Sequence, residues 1–360
     1  RSPLVATRVI LCLEQVLVYI CSDCYALFTS LASLLALALV SGCQESPSGP
    51  GSLSAPQSAP DTPYAVVLGT AQDGGLPQLG CRKDCCEPAR TDPERRRLVS
   101  SVLVVDPVEG RRWLLDATPD LPEQVERARP YEDPRERAAS SGRPPLFDAI
   151  LLTHAHMGHC LGLLHLGREA YGAEGQRVVC TPRMARLLRE EAPWSLLIQA
   201  GHVELVEVEP GASLQLSPRV SAEALPVPHR AEFSDTVGWR ITTPEGSLLH
   251  LPDIDKWDRW ELDLREVVGS VDVALLDATF YGGDELPGRD IREVPHPFVV
   301  ETLETTATWT PEERARIQLI HLNHTNPLHQ ADSEAAARVR AAGIRLAREG
   351  GVVPLRARSQ

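Results

Sequence analysis

The sequence is short of positive charge. Only 36 Lys and Arg stand against 49 Asp and Glu, a formal net charge of −13, and no segment gathers the basic residues into a stripe. A polyanion would find little to hold, so nucleic acid is not an expected partner unless a metal supplies the charge. Nine cysteines in 360 residues are too few for a disulfide-built miniprotein. No internal repeat of fixed period is present. With 43% apolar and 24% charged residues, a disordered, collagen-like or polytopic membrane chain is excluded. A globular body of about 250 to 300 residues fits, as one large unit or two small ones. The eleven histidines carry more information, because several sit close together.

Residues 1–42 carry only Arg1, Arg8, Glu14 and Asp23 as charges, and the run from Ala26 to Val40 is apolar. An apolar core before small residues predicts a secretory signal over 1–42. The closing Val40-Ser41-Gly42-Cys43 resembles a bacterial lipobox, which would make Cys43 a lipidated first residue of the mature chain. A single transmembrane anchor is the alternative, and both readings place the folded body outside the cytoplasm. The lipobox reading tethers it to a bacterial membrane, facing the periplasm. Residues 44–63 are mostly Ser, Pro and Gly, so 43–63 reads as a flexible linker and 64–360 as the folded domain.

Beyond the linker, apolar runs of strand length alternate with amphipathic ones. Tyr64–Gly69, Ser100–Asp106, Trp113–Asp116 and Phe147–Thr153 read as strands. So do Arg177–Cys180, Val203–Val208, Val237–Thr242, Ser247–Leu251, Val273–Leu276 and Ile317–Leu322. Helical patterns cover Arg183–Glu191, Pro311–Arg316 and Ser333–Ala341, the last with Asp332 as its N-cap. The mixture predicts an α/β architecture with at least one large sheet. Four of the runs finish in a potential metal ligand: AILLT leads into His154, ALPVP into His229, SLLHLP into Asp253 and RIQLI into His321. Ligands gather outside the carboxyl ends of strands in such sheets, so these four are expected to share one cleft.

The segment Thr153-His154-Ala155-His156-Met157-Gly158-His159 adds two more imidazoles to that cleft. Neutral imidazoles with one or two carboxylates suit zinc, with iron or manganese as alternatives. The pattern resembles the metallo-β-lactamase superfamily, whose signature is H-x-H-x-D-H after a strand, then a His, an Asp and a final His. His154, His156 and His159, then His229, Asp253 and His321, match it in order. The resemblance implies an αββα sandwich, two mixed sheets flanked by helices, and one or two metal ions at the histidines. His154, His156 and His229 would form one position with Asp253 bridging. The sequence departs from the signature at Gly158, which stands where the family has Asp and cannot ligate, so the second position would keep His159, Asp253 and His321 only.

Within the superfamily, GTAQDGGLPQLGC (69–81), DTVGWRI (235–241), LLDATFYGGDEL (275–286) and IHLNHTNPL (320–328) resemble the pyrroloquinoline quinone biosynthesis protein B branch. That branch and superfamily phosphodiesterases carry a cysteine cluster that looks like a structural zinc site. Here Cys81, Cys85 and Cys86 are spaced C-x-x-x-C-C in place of C-x-C-x-x-C, with His324 or His329 as the fourth ligand. A disulfide among them is the alternative. Cys160 and Cys180 read as buried small hydrophobes.

His296, in VPHPFV, corresponds to a pocket segment of that branch, which gives it a substrate-contact role. Asp277 reads either as a residue orienting a ligand histidine or as a turn cap, while Asp73 and Asp235 lie on loops matching branch motifs. His165, His202 and His250 show no partner pattern, and Trp257 and Trp260 read as core or as a pocket mouth. Taken together, the expected function is metal-dependent hydrolysis of a small-molecule ester, phosphoester or lactone, with Asp253 and His296 as catalytic groups. An iron-dependent oxygenase linked to quinone-cofactor synthesis, or a non-catalytic metal-binding lipoprotein, are the alternatives.

Overall fold

The computed structural model describes residues 60–132 and 142–357, all within one compact unit, Ser52–Gln360. The predicted leader, Cys43 and the linker up to residue 59 lie outside the described residues. Among the described residues no helix is long and apolar enough to cross a membrane.

The strands are β1 (Tyr64–Gly69), β2 (Ser101–Asp106), β3 (Arg111–Leu115), β4 (Ala149–Leu151), β5 (Gln176–Cys180), β6 (Val203–Glu207), β7 (Ser213–Gln215), β8 (Ser221–Pro226), β9 (Val237–Thr242), β10 (Ser247–Leu251), β11 (Val273–Asp277), β12 (Ile317–Ile320), β13 (Arg345–Leu346) and β14 (Val352–Pro354). They form two seven-stranded sheets, ordered β14-β1-β2-β3-β4-β5-β6 and β13-β12-β11-β10-β9-β8-β7. Each sheet is mixed: β3 to β6 run parallel in the first, and β10 to β13 in the second.

Burial on both faces explains why the central strands are continuously apolar. In β1, Ala65 and Val67 face the second sheet while Tyr64, Val66 and Leu68 face helices outside. The inter-sheet core joins Trp113 and Leu115 to Trp239, Ile241 and Leu275. Helices Leu121–Ala128 and Pro182–Glu190 cover the outer face of the first sheet through Leu121, Met184 and Leu188. Helices Leu264–Gly269, Val299–Thr305 and Glu334–Ala341 cover the second through Leu264, Val267, Val299 and Val339. The result is an αββα sandwich.

Two element boundaries differ from the expectation for a physical reason. The strand expected over 147–153 is only Ala149–Leu151. The Phe147 amide donates to Gln176 Oε1 and the Thr153 amide to Asp116 Oδ1, so side chains take both ends out of the ladder. The helix expected from residue 333 starts at Glu334, capped by Ser333, whose Oγ accepts from the Ala336 amide at 3.1 Å, and not by Asp332.

Candidate metal centre

The parallel strand sets bring their carboxyl ends to one edge of the sandwich, and the ligand-bearing loops leave from there. Asp116 follows β3, His154 follows β4, Asp253 follows β10, Asp277 ends β11 and His321 follows β12. His159 is buried in the short helix Met157–Cys160 that opens after the His154 turn.

These loops converge on the buried carboxylate of Asp253. Its Oδ2 stands 3.1 Å from both His154 Nε2 and His159 Nε2, and 3.9 Å from His229 Nε2. Its Oδ1 stands 3.3 Å from His321 Nδ1 and 3.5 Å from His296 Nδ1. His156 Nδ1 lies 2.8 Å from His154 Nε2. All six sequence-predicted ligands are therefore brought together, in two groups whose donor atoms lie within 4.8 Å of one another: His154, His156, His229 and Asp253, and, around His321 and His159, a set joined by Asp73.

Several buried polar atoms of these residues lack aligned hydrogen-bond partners: His159 Nε2, both nitrogens of His229, His321 Nε2, Asp253 Oδ1 and Asp73 Oδ1. Each such orphan costs about 1–3 kcal/mol in a protein interior. Oxygen and nitrogen lone pairs collected around a common point are the donor set of a borderline divalent ion, and the residues fit zinc, iron or manganese.

The opposite ring nitrogens are tied down. His154 Nδ1 meets Thr153 Oγ1 at 3.0 Å, His159 Nδ1 donates to Asp116 Oδ2 at 2.8 Å, and His321 Nδ1 meets Thr279 Oγ1 at 3.0 Å. Such partners fix ring orientation and turn the other nitrogen to the ion. Among the described residues, Asp116 and His321 are the non-glycine residues at positive φ, both at 66°. That concentration of backbone strain at one cleft marks a functional site.

Burial pushes His154 down to about 4 and His229 down to about 3, so both are neutral, the form that ligates metal. Burial would also lower His159, but the carboxylates of Asp116 and Asp253 carry it well above the usual value. Burial would raise Asp253; the imidazoles of His321, His154 and His159 outweigh it and hold the carboxylate ionised.

A second cluster lies at the surface side of the β1 loop. Cys81, Cys85, Cys86 and His324 offer four ligand atoms within 4.8 Å of one another. The Cys81 and Cys85 sulfurs are 3.9 Å apart, close to the edge of about 3.7 Å that a zinc–thiolate tetrahedron requires and far from the ~2.05 Å of a disulfide. His324 Nδ1 approaches Cys86 and Cys85 at 3.4 and 3.5 Å. His329 is spoken for elsewhere, its Nε2 meeting the Asn323 carbonyl at 3.0 Å.

A family profile described as "Beta-lactamase superfamily domain" matches residues 111–347, well over half of the sequence. The chain belongs to the beta-lactamase superfamily. Among curated superfamily relatives, a coenzyme PQQ synthesis protein B from Methylorubrum populi is 28% identical over 309 residues, covering 80% of this chain and 98% of its own. Among solved structures, Zn(2+)-bound PqqB from Methylobacterium extorquens superposes with a TM-score of 0.67 at 25% identity, covering 81% of this chain and 100% of the other. A diphosphatase from the PhnP family superposes at 0.56 with 23% identity, over 81% and 96% of the chains, a likeness of fold alone.

Other residues of this superfamily chain find plainer places. His296 is buried at the cleft, with Nδ1 2.8 Å from Asp277 Oδ2 and its ring edge-on to Phe280. Asp277 also accepts from the Thr279 hydroxyl and amide, so it orients both His296 and, through Thr279, His321. His165 is exposed, and His202 Nδ1 meets the Ala173 carbonyl at 2.8 Å. His250 is less ordinary than its sequence context suggests: it is fully buried with Nε2 3.6 Å from Asp116 Oδ2. Asp235 accepts from the Thr181 hydroxyl. Trp260 is buried in the second sheet's outer core, and Trp257 packs against that core. Cys160 and Cys180 are buried free thiols. Asp116 carried no ligand signal beyond ending the run WLLD, which is the same strand-end pattern that marks Asp253. Asp73 ends no apolar run at all.

Proposed function

We propose that this protein is a metal-dependent hydrolase acting on a small-molecule ester, phosphoester or lactone. The observation that carries the reading is Asp253, whose Oδ2 faces Nε2 of His154 and Nε2 of His159, one imidazole from each ligand group, at 3.1 Å. His154, His156 and His229 would hold one ion, His159 and His321 a second, and Asp253 would be shared. Held there, a divalent ion, zinc in the first instance, would supply Lewis-acid polarisation of the scissile oxygen and activation of water near neutral pH.

His296 is suited to protonate the leaving group. Asp277 Oδ2 accepts a hydrogen bond from its Nδ1, which leaves the other nitrogen, Nε2, for substrate. Burial alone would lower this histidine, but Asp277 and Asp253 raise it above the usual value, which keeps a proton available near neutrality. Phe280 stands edge-on to that ring, and the buried Phe298 stands edge-on to Phe280.

The test is a panel of phosphodiester, diphosphate, lactone and thioester substrates with the zinc-loaded full chain. Turnover of at least one, abolished in His229→Ala and reduced in kcat more than in KM in His296→Gln, supports the reading. No turnover by metal-replete protein overturns it.

A second reading is an iron-dependent oxygenase acting in quinone-cofactor synthesis. The likeness to coenzyme PQQ synthesis protein B over 80% of the chain favours it, and His and carboxylate ligands accept iron as well as zinc. Oxygen uptake by iron-loaded protein, with no hydrolysis by the zinc form, would select it. We read residues 1–42 as an export leader and Cys43 as the lipidated first residue of the mature chain, so that the domain works at a bacterial membrane facing the periplasm; Cys43→Ala should then abolish fatty-acid labelling, and unchanged labelling would reject the anchor.

A further inference from the structure

Gly158 occupies the signature position at which superfamily members carry a ligand carboxylate. An ideal Cβ at Gly158 would lie 1.9 Å from Asp73 Oδ1, 2.8 Å from its Cγ and 2.9 Å from its Cα. The space that a side chain at 158 would enter is therefore already filled, and what fills it is another carboxylate, delivered by the loop after β1.

The Asp73 side chain is set for a ligand role. Gln72 Nε2 donates to its Oδ2 at 3.1 Å. Its Oδ1 is buried with no hydrogen-bond partner. That oxygen lies 3.6 Å from His159 Nε2 and 3.9 Å from His321 Nε2, and both of those nitrogens are buried orphans too. Three unpaired donor atoms from three distant loops thus face one point. The loop itself is pinned to the ligand strand behind it, since the Gln72 amide donates to the Leu322 carbonyl at 2.9 Å and the Leu322 amide to the Thr70 carbonyl at 2.8 Å.

We infer that Asp73 is a metal ligand, the carboxylate of the second position transplanted from residue 158 to the β1 loop, and that glycine at 158 is what admits it. The second position is then built from Asp73, His159, His321 and Asp253, and it is not depleted by the altered signature. This inference rests on the metal reading of the histidine cleft. It assigns to a local sequence defect a compensating residue 85 positions away, and it makes Asp73 and position 158 mutually exclusive carboxylate sites.

The experiment is zinc content by plasma mass spectrometry on untagged full-length protein after equilibration with zinc. Wild type, Asp73→Asn, Gly158→Asp and the double variant Asp73→Gly/Gly158→Asp are compared. Wild type is expected to hold about three ions per chain, counting the cysteine site, and Asp73→Asn about two. Gly158→Asp alone should bind less than wild type, because its Cβ displaces Asp73. The double variant removes the overlap with the Asp73 side chain, leaving only the 2.9 Å approach to the backbone of residue 73. It should regain ion over Asp73→Asn, a rescue that a merely structural role for Asp73 would not produce. Asp73→Asn with the full wild-type complement overturns the inference, and so does a folded double variant with no more metal than Asp73→Asn. Asp73→Asn is nearly isosteric, so it decides the matter even if the double variant fails to fold. A wild-type chain with metal at the cysteines alone would refute the metal reading itself, a different result from either.

Discussion

Asp116→Asn is the perturbation whose consequence follows most directly from the hydrogen bonds. Asp116 Oδ1 accepts from the Thr153 amide at 2.8 Å and from its hydroxyl at 3.0 Å, while Oδ2 accepts from His159 Nδ1 at 2.8 Å. Asparagine can keep its oxygen toward Thr153 only by turning its NH2 toward His159. The ring must then offer a lone pair at Nδ1 and carry its proton on Nε2, the nitrogen that faces Asp253 Oδ2 at 3.1 Å. That tautomer covers the lone pair an ion needs. Loss of such a supporting partner typically costs 10- to 100-fold in metal affinity, about 1.4 to 2.8 kcal/mol. The second ion should show this loss. The first should suffer less, because Asp116 reaches His154 only through the Thr153 hydroxyl. Competition titration against a chromophoric zinc chelator reads both constants. Wild-type affinity for every ion in Asp116→Asn, with the protein folded, would show that Asp116 does not set the His159 tautomer.

Three further outcomes are expected. Cys85→Ser/Cys86→Ser should lose about one ion per chain and melt at lower temperature, since the cluster ties the 81–86 loop to His324; unchanged metal content and melting would count against a zinc site there. Adding zinc to stripped protein near pH 7 should release protons. Asp116 and Asp253 keep His159 protonated in the metal-free site, and burial pushes the Cys85 thiol up to about 12. Affinity must therefore fall as pH falls, and an indicator dye that registers no release would contradict this. Trp239→Phe should destabilise by about 1–3 kcal/mol in urea unfolding, because Trp239 Nε1 donates to the Leu152 carbonyl at 3.1 Å, just before the His154 turn; unchanged stability would show that this carbonyl finds another donor.

The site was legible where chemistry coincides with periodicity. His154, Asp253 and His321 each follow an apolar run, and an apolar run that stops at a polar ligand is readable because strand ends are where a sheet exposes function. The two-layer sandwich was legible for a related reason: β1, β2 and β11 are buried at every residue, as strands covered on both faces must be. Asp73 was not legible in this way, because its role depends on fitting a space that only the folded Gly158 turn leaves open. Asp116 and Thr279 act through other side chains, and no spacing announces a residue whose partner lies 43 or 42 positions away. The choice of His324 over His329 likewise needed the turn at 321–329, which carries one ring to the thiols and the other to the Asn323 carbonyl.

If the histidine cleft holds catalytic metal, removing two of its imidazoles must remove both ion and turnover. The decisive measurement is the metal content of untagged full-length protein beside a His154→Ala/His156→Ala variant, taken together with hydrolysis of the best substrate in the panel. The variant should lose at least one ion per chain and all turnover while keeping the metal held by the cysteines. Equal metal content in the two proteins, or turnover that survives the loss of both histidines, would contradict this.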